Sequence, residues 1–104
     1  MQVIRWQKQE MPQEHDLRKA MQSQGLSPYT WSNGPGERYT FHSHSYQKVL
    51  YCVQGSIRFI LPDVEGDDGI INLAPGDCMI LPARVRHGAE VGSQGVTCLE
   101  AARH

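Results

Sequence analysis

Three of the five histidines are placed where they could bind a metal ion together. His42 and His44 are separated by one residue and precede the apolar run "VLYCV". Side chains at positions i and i+2 of a strand point to the same face, so two imidazoles on one strand would converge. His87, which follows the later apolar segment "CMILPARVR", is the candidate for a third ligand. The alternative is that His42 and His44 are polar surface residues of a serine-rich turn.

The residues around the first two histidines resemble the first motif of the cupin superfamily. That motif consists of a glycine, five residues, His-x-His, three or four residues, a glutamate, six residues and a glycine. The corresponding residues of this chain are Gly36, His42, His44, Lys48 and Gly55.

A second cupin motif is matched around His87. It consists of a glycine, five residues, Pro-x-Gly, two residues, a histidine, three residues and an asparagine. The corresponding residues here are Gly76, Pro82, Arg84, His87 and Val91. Together the motifs extend over roughly residues 33–99. The resemblance implies a jelly-roll barrel in which His42, His44 and His87 face inward and hold a divalent transition metal, either Zn, Ni, Fe, Mn or Cu.

The main departure from the cupin pattern is Lys48, which stands where the family has a glutamate. A divalent ion and an ammonium about 5 Å apart repel each other by about 7 kcal/mol at an effective dielectric constant of about 20. The lysine could lose its proton, turn its stem away, or be offset by a bound anion, or the metal could be absent. A lysine at the end of a strand could also simply extend to solvent.

A metal ion beside Lys48 would suit a small anionic ligand, such as a carboxylate or an enolate. Tyr46 and Arg86 are further candidates for ligand binding, although loop arginines usually face water. An isomerase, a decarboxylase or an oxygen-using enzyme could be built in this way. The alternative is a metal-free, non-catalytic barrel that binds or senses a small molecule.

The remaining pattern is typical of an all-β protein. Residues 11–26 read as a helix, with Pro12 at its first position and Gly25 as its left-handed end. After Leu26, six or seven short strands alternate with turns, which favours a double-stranded β-helix, or jelly-roll, cupin barrel with one short N-terminal helix. We expect residues 1–30, including a short strand at "VIRW", to form an extension that packs on a barrel of residues 31–104.

The strands "VLYCV" and "CMIL" are apolar on both faces, so their outer faces should be covered by the N-terminal segment or by a second subunit. A homodimer is the favoured reading. The net charge of −1 comes without a basic stripe, which makes nucleic acid an unlikely partner. No apolar run is long enough for a membrane span and no signal peptide is visible, so a cytoplasmic protein with three reduced cysteines is expected.

Overall fold

The chain folds into an antiparallel β-barrel with one α-helix, as the sequence predicts. The computed structural model describes all 104 residues. The elements in chain order are β1 (Gln2–Ile4), α1 (Glu14–Ser23), β2 (Tyr29–Asn33), β3 (Arg38–His42), β4 (Gln47–Ile60), β5 (Ile70–Leu73), β6 (Cys78–Leu81) and β7 (His87–Arg103). A single turn of 3₁₀ helix, Gly66–Gly69, precedes β5. The cupin jelly roll expected from the two motifs is therefore confirmed at the level of the fold.

Two long strands, β4 and β7, form the centre of the sheet. The strand order is β1-β6-β4-β7-β2, and β3 pairs with β7 while β5 pairs with β4. The sequence predicts short strands separated by turns, but β4 is one long strand that continues through Gly55 with a shift of register there. Gly55 has a φ of +74°, and a Cβ on it would collide with the carbonyl group of Gly95. The glycine therefore forms a bulge that bends a continuous strand, and it does not end the strand.

The barrel has an inner apolar core and an outer one. The inner core joins alternate residues of β4 to β5, β6 and β7, including Leu50, Ile57 and Leu73. The outer core lies between the sheet and α1, where Leu17 and Met21 pack against residues such as Val49 and Leu99. The helix thus covers the outer face of the doubly apolar strands. The covering predicted for this face is supplied by the N-terminal segment, and a partner subunit is not needed for it.

The helix and the first strand differ slightly from their predicted limits. The helix begins at Glu14, after the N-cap residue Gln13, so Pro12 lies outside it and the prediction of a proline at the first helical position is wrong. Its end is as predicted, because Gly25 follows the C-cap with a φ of +81°. The predicted strand "VIRW" is shifted to Gln2–Ile4, where it pairs with β6.

The division of the chain at residue 30 stays a prediction. β1 and α1 lie before that position and pack on the barrel, whereas β2 spans it and pairs with β7. None of the helices is both long enough and apolar enough to cross a lipid bilayer.

Candidate metal and ligand site

Three elements bring the histidines together at one end of the barrel. His42 is the last residue of β3 and is paired in register with His87, the first residue of β7. His44 lies in the loop after β3, so the expectation that His42 and His44 share one strand is wrong. The loop is held instead by a hydrogen bond of 2.7 Å that the backbone N–H of Arg84 donates to the carbonyl of His44. The three histidines therefore converge because β3 pairs with β7 and because a backbone hydrogen bond holds the loop that carries His44.

The imidazole rings form a compact cluster. The centroid of the His42 ring lies 4.8 Å from that of His44 and 4.5 Å from that of His87, and the other two centroids are 5.2 Å apart. One nitrogen from each ring lies within 4.8 Å of the other two. His87 is almost fully buried, His44 is partly buried and His42 is exposed. The three histidines thus line the wall of a cavity, with His87 the most deeply buried and His42 nearest the solvent.

Hydrogen bonds fix the tautomers of two of the rings. Nδ1 of His42 lies 2.9 Å from the carbonyl oxygen of Thr40, and Nδ1 of His87 lies 2.9 Å from that of Val85. Since a carbonyl can only accept, each Nδ1 carries a hydrogen, and in the neutral form of the ring the lone pair is then on Nε2. Backbone carbonyls orient metal-binding histidines in this way.

Two buried imidazole nitrogens have no hydrogen-bond partner, namely Nε2 of His44 and Nε2 of His87. Buried polar atoms are nearly always satisfied, so such a pair points to a missing ligand. Metal–imidazole bonds are about 2.0–2.1 Å long. The three imidazoles offer nitrogen donors that lie within 4.8 Å of one another. The residues present therefore fit a divalent metal.

The surroundings of His44 and His87 favour the neutral form of the imidazole, which is the form that binds metals. Burial lowers the pKa of His44, and the nearby charges of Lys48 and His42 lower it further. Burial likewise lowers the pKa of His87, and Lys48 again contributes, against the opposing effect of the hydrogen bond to Val85.

Lys48 points into the barrel and is paired with a carboxylate that the sequence motifs do not include. Its Nζ lies 3.5 Å from Oε1 of Glu100, and the two side chains are only 9% and 7% exposed. A bound anion is one of the alternatives that the sequence leaves open for Lys48; in the structure the charge of the lysine is offset by a carboxylate of the chain itself. A buried lysine without such a partner would be strongly disfavoured.

Glu100 is held on every side. Oε1 accepts a hydrogen bond of 3.0 Å from the indole of Trp31, and Oε2 accepts one of 2.8 Å from the hydroxyl of Tyr29. Burial, together with the hydrogen bond to Glu100 and its negative charge, raises the pKa of Tyr29, so that the phenol stays a donor. Sequence reasoning missed these residues. The available signal was that Glu100, two residues after Cys98 in β7, shares the inward face of that buried cysteine.

The histidines, Lys48 and Glu100 line one cavity of about 290 Å³, which we call the histidine cavity. Its walls are largely aromatic: Tyr29, Trp31, Tyr39, Tyr46 and Phe59 all line it. Tyr46 stacks on His44, with ring centroids 4.9 Å apart and an angle of 24° between the planes. The cavity has the size of a small metabolite and offers flat apolar walls beside charged groups.

Other candidate residues lie elsewhere. The guanidinium of Arg86 forms a two-pronged pair with Asp63, at 2.8 and 3.2 Å, and is not part of the cavity wall. Its role in ligand binding stays a prediction. Tyr51 packs against the outer core, whereas Tyr46 lines the cavity. Cys52 is fully buried, and burial raises its pKa to about 12, so it is a core residue and not a nucleophile.

A small antiparallel barrel with three convergent histidines at one end is typical of one class of protein, the jelly-roll barrels. The chain belongs to the cupin family, because the family model described as "Cupin domain" matches residues 30–99. No match to this sequence is found among curated proteins.

Solved structures give the same fold. A chain from the structures of the DMSP lyases RdDddP and RnDddQII is 25% identical with a TM-score of 0.66, and the similarity covers 78% of this chain and 40% of that one. KdgF from Halomonas sp. is 26% identical with a TM-score of 0.57, covering 76% and 71% of the two chains. A cupin-2 domain protein from Shewanella frigidimarina NCIMB 400 is 15% identical with a TM-score of 0.60, covering 75% and 71%. The protein thus spans two fifths of the DMSP lyase chain.

Proposed function

We propose that the protein is a metal-binding cupin that holds a divalent transition metal with His42, His44 and His87, and that it binds or acts on a small anionic metabolite beside Lys48 and Tyr46. The observation that carries this proposal is the pair of buried, unpartnered Nε2 atoms of His44 and His87 in a cluster of three imidazoles. A metal bound there by neutral ligands would act as a Lewis acid that attracts an anionic oxygen.

The charges around the cluster support the same proposal. Because Glu100 offsets the charge of Lys48, the lysine does not repel a divalent ion as strongly as its own charge alone would. Its ammonium can still donate hydrogen bonds to an oxyanion. The likeness to a DMSP lyase chain agrees with the processing of a small molecule, without naming the substrate of this chain.

The proposal is tested by the metal content of the protein. The untagged chain is purified without a chelator and analysed by ICP-MS beside His42→Ala/His87→Ala and a control variant, His15→Ala. We expect about one ion per chain in the wild type and in the control, and almost none in the double variant. His15 is a suitable control because it is an exposed residue of α1.

The alternative function is a metal-free cupin that binds or senses a small molecule, and the positive charge of the buried Lys48 is the observation that favours it. A folded wild type that carries no metal, and takes up none when zinc, nickel or manganese is added, would establish this alternative. Circular dichroism on the same samples shows whether the variants are folded.

We also propose a homodimer and a cytoplasmic location. The exposed apolar side chains of Ile4 and Met11 beside α1 support the dimer, and the three free buried cysteines suit a reducing compartment. Light scattering after size exclusion should give twice the 11.7 kDa of one chain. A mass of one chain would contradict the dimer.

A further inference from the structure

The buried pair of Lys48 and Glu100 is the feature of the histidine cavity that the cupin motifs do not account for. In the motif, a glutamate at the position of Lys48 would bring one negative charge to the metal. Here the position carries a positive charge, and the compensating negative charge comes from another strand, β7. The pair as a whole is neutral, so the three imidazoles and this pair bring no net charge to a bound ion.

Glu100 is not free to replace the missing glutamate as a metal ligand. Trp31 donates to Oε1, Tyr29 donates to Oε2, and Lys48 lies against Oε1. A carboxylate with donors on both oxygens is held in place, and its lone pairs are largely used. The same contacts make it a poor general base. Its effect on the cavity must therefore act through its charge and through the ammonium it holds.

We propose that Glu100 is a positioning residue that fixes the ammonium of Lys48 and sets the charge of the histidine cavity, so that one site accepts both a divalent cation and a small oxyanion. This inference rests on the proposed function. Its consequence is a ligand class: since no protein carboxylate reaches the histidines, a bound divalent ion keeps its full charge. The ligand that fits is a small carboxylate or enolate that brings its own negative charge to the metal and places a second oxygen at Lys48.

The aromatic walls of the histidine cavity limit the size and shape of the carbon skeleton of such a ligand. The edge-to-face pair of Trp31 and Tyr39, with centroids 6.0 Å apart, and the stacked pair of His44 and Tyr46 leave flat surfaces on two sides. A cavity of about 290 Å³ with these walls suits a short or planar carbon skeleton.

The inference is tested with four proteins: wild type, Glu100→Gln, Lys48→Met and the double variant. The affinity for Zn²⁺ is measured by competition with a coloured chelator. Glu100→Gln leaves the lysine charge uncompensated and should weaken zinc binding on the order of ten-fold. Lys48→Met leaves the carboxylate of Glu100 uncompensated and should strengthen zinc binding by a similar factor. The double variant should return close to the wild type.

A second measurement separates charge from structural damage. Each protein is loaded with Co²⁺ and titrated with acetate, and the visible spectrum of the cobalt follows the binding of the anion. Glu100→Gln should bind acetate at least as tightly as the wild type although it binds metal less tightly. Lys48→Met should bind acetate several-fold more weakly. A damaged cavity would weaken both metal and acetate in both variants. Lys19→Met, an exposed lysine on α1, is the matched control and should change neither affinity.

The outcomes are distinct. Equal zinc affinities in all four proteins would overturn the role of Glu100 while leaving the metal site intact. Changes of the same sign in Glu100→Gln and Lys48→Met would also overturn it. A wild type that binds no metal would overturn both the proposed function and this inference. Should Glu100→Gln fail to fold, Lys48→Met decides alone, because the inference requires it to bind zinc more tightly than the wild type does.

Discussion

Two carboxylates are buried in this barrel, and they are satisfied by different kinds of donor. Asp77 accepts hydrogen bonds from the backbone N–H groups of Trp6, at 2.9 Å, and Ala74, at 3.0 Å, and its remaining partner is the half-exposed guanidinium of Arg5. Glu100 accepts only from side chains, and it lines a cavity that contains unpartnered imidazole nitrogens.

The two kinds of donor indicate different roles for Asp77 and Glu100. Backbone donors fix the path of the chain, so Asp77 holds both the N-terminal segment and the turn after β5 in place. Side-chain donors leave the path of the chain to the sheet and instead determine the charge and shape of the space between them. We therefore assign Asp77 to the stability of the fold and Glu100 to the properties of the histidine cavity.

The largest effect should follow from Asp77→Ala, which leaves two backbone N–H groups and a guanidinium without their acceptor. Lost hydrogen bonds to a charged group cost about 1.5–3 kcal/mol each, and Arg5 contributes little because solvent screens it. We expect the free energy of unfolding in urea to fall by about 3 kcal/mol, with metal content unchanged in the protein that stays folded. A variant of normal stability that has lost its metal would reverse the assignment.

The contribution of Asp77 to stability should depend on pH. Burial alone would raise the pKa of Asp77, but the hydrogen bonds from Ala74 and Trp6 and the guanidinium of Arg5 hold this pKa below its usual range. The carboxylate therefore stabilises the fold above the pKa of the unfolded chain, about 3.9, and this contribution is lost as the pH falls through the lowered value. Asp77→Asn lacks the contribution at every pH.

Unfolding of the wild type and Asp77→Asn should therefore be compared between about pH 7 and pH 2. The wild type should be the more stable above about pH 4, by a part of the loss expected for the alanine variant, and the two curves should approach each other below that pH. A difference that stays constant down to pH 2 would show that the charge of Asp77 is not what stabilises the turn.

Some features of the fold and of the histidine cluster could be predicted from the sequence, and others could not. The fold was predictable because the motifs fix the spacing of histidines and turn glycines, and the motif glycine Gly76 has a φ of +91°. The histidine cluster was predictable for the same reason. The continuity of β4 through Gly55 was not, because a glycine that forms a bulge and one that ends a strand look alike in sequence.

The hydrogen-bond partners of Glu100 could not be predicted from the sequence, for a different reason. Tyr29 and Trp31 precede it by 71 and 69 residues, and only the pairing of β2 with β7 brings them together. No local spacing rule encodes such a contact. The sequence could show that a charged residue occupies the inward face of β7, but its pairing with Lys48 depends on the register of β4 against β7.

A smaller effect is expected at the Glu100 site itself. Tyr29→Phe removes one of the three donors to the carboxylate, and Tyr29 as a residue is 53% exposed. Its loss should lower the free energy of unfolding by only about 0.5–1 kcal/mol, because Trp31 and Lys48 still satisfy Glu100. Urea denaturation measures the change. A loss as large as that of Asp77→Ala would mean that the Glu100 site, too, serves mainly to hold the fold together.

The smallest effect concerns the turns that adjoin the two sites. The turn that ends at Asp77 uses a glycine, Gly76, for its positive φ, whereas the turn beside the histidines uses Arg84, the one residue other than glycine with a positive φ, of 68°. A side chain in this region costs about 1 kcal/mol, and the strain lies directly beside the backbone group that holds His44. Arg84→Gly, which restores the residue of the cupin motif, should therefore raise the free energy of unfolding, by about 0.5 kcal/mol after the added flexibility of the unfolded chain is subtracted.

Metal content should not change in Arg84→Gly, since the N–H that donates to His44 is a backbone group and glycine keeps it. Urea denaturation and ICP-MS on the same preparation measure both quantities, and Arg84→Ala, which keeps a Cβ in the strained conformation, serves as the control without a gain in stability. If the glycine variant were stabilised but lost its metal, the arginine side chain, and not the backbone of the turn, would be what holds the histidine end of the barrel in its binding geometry.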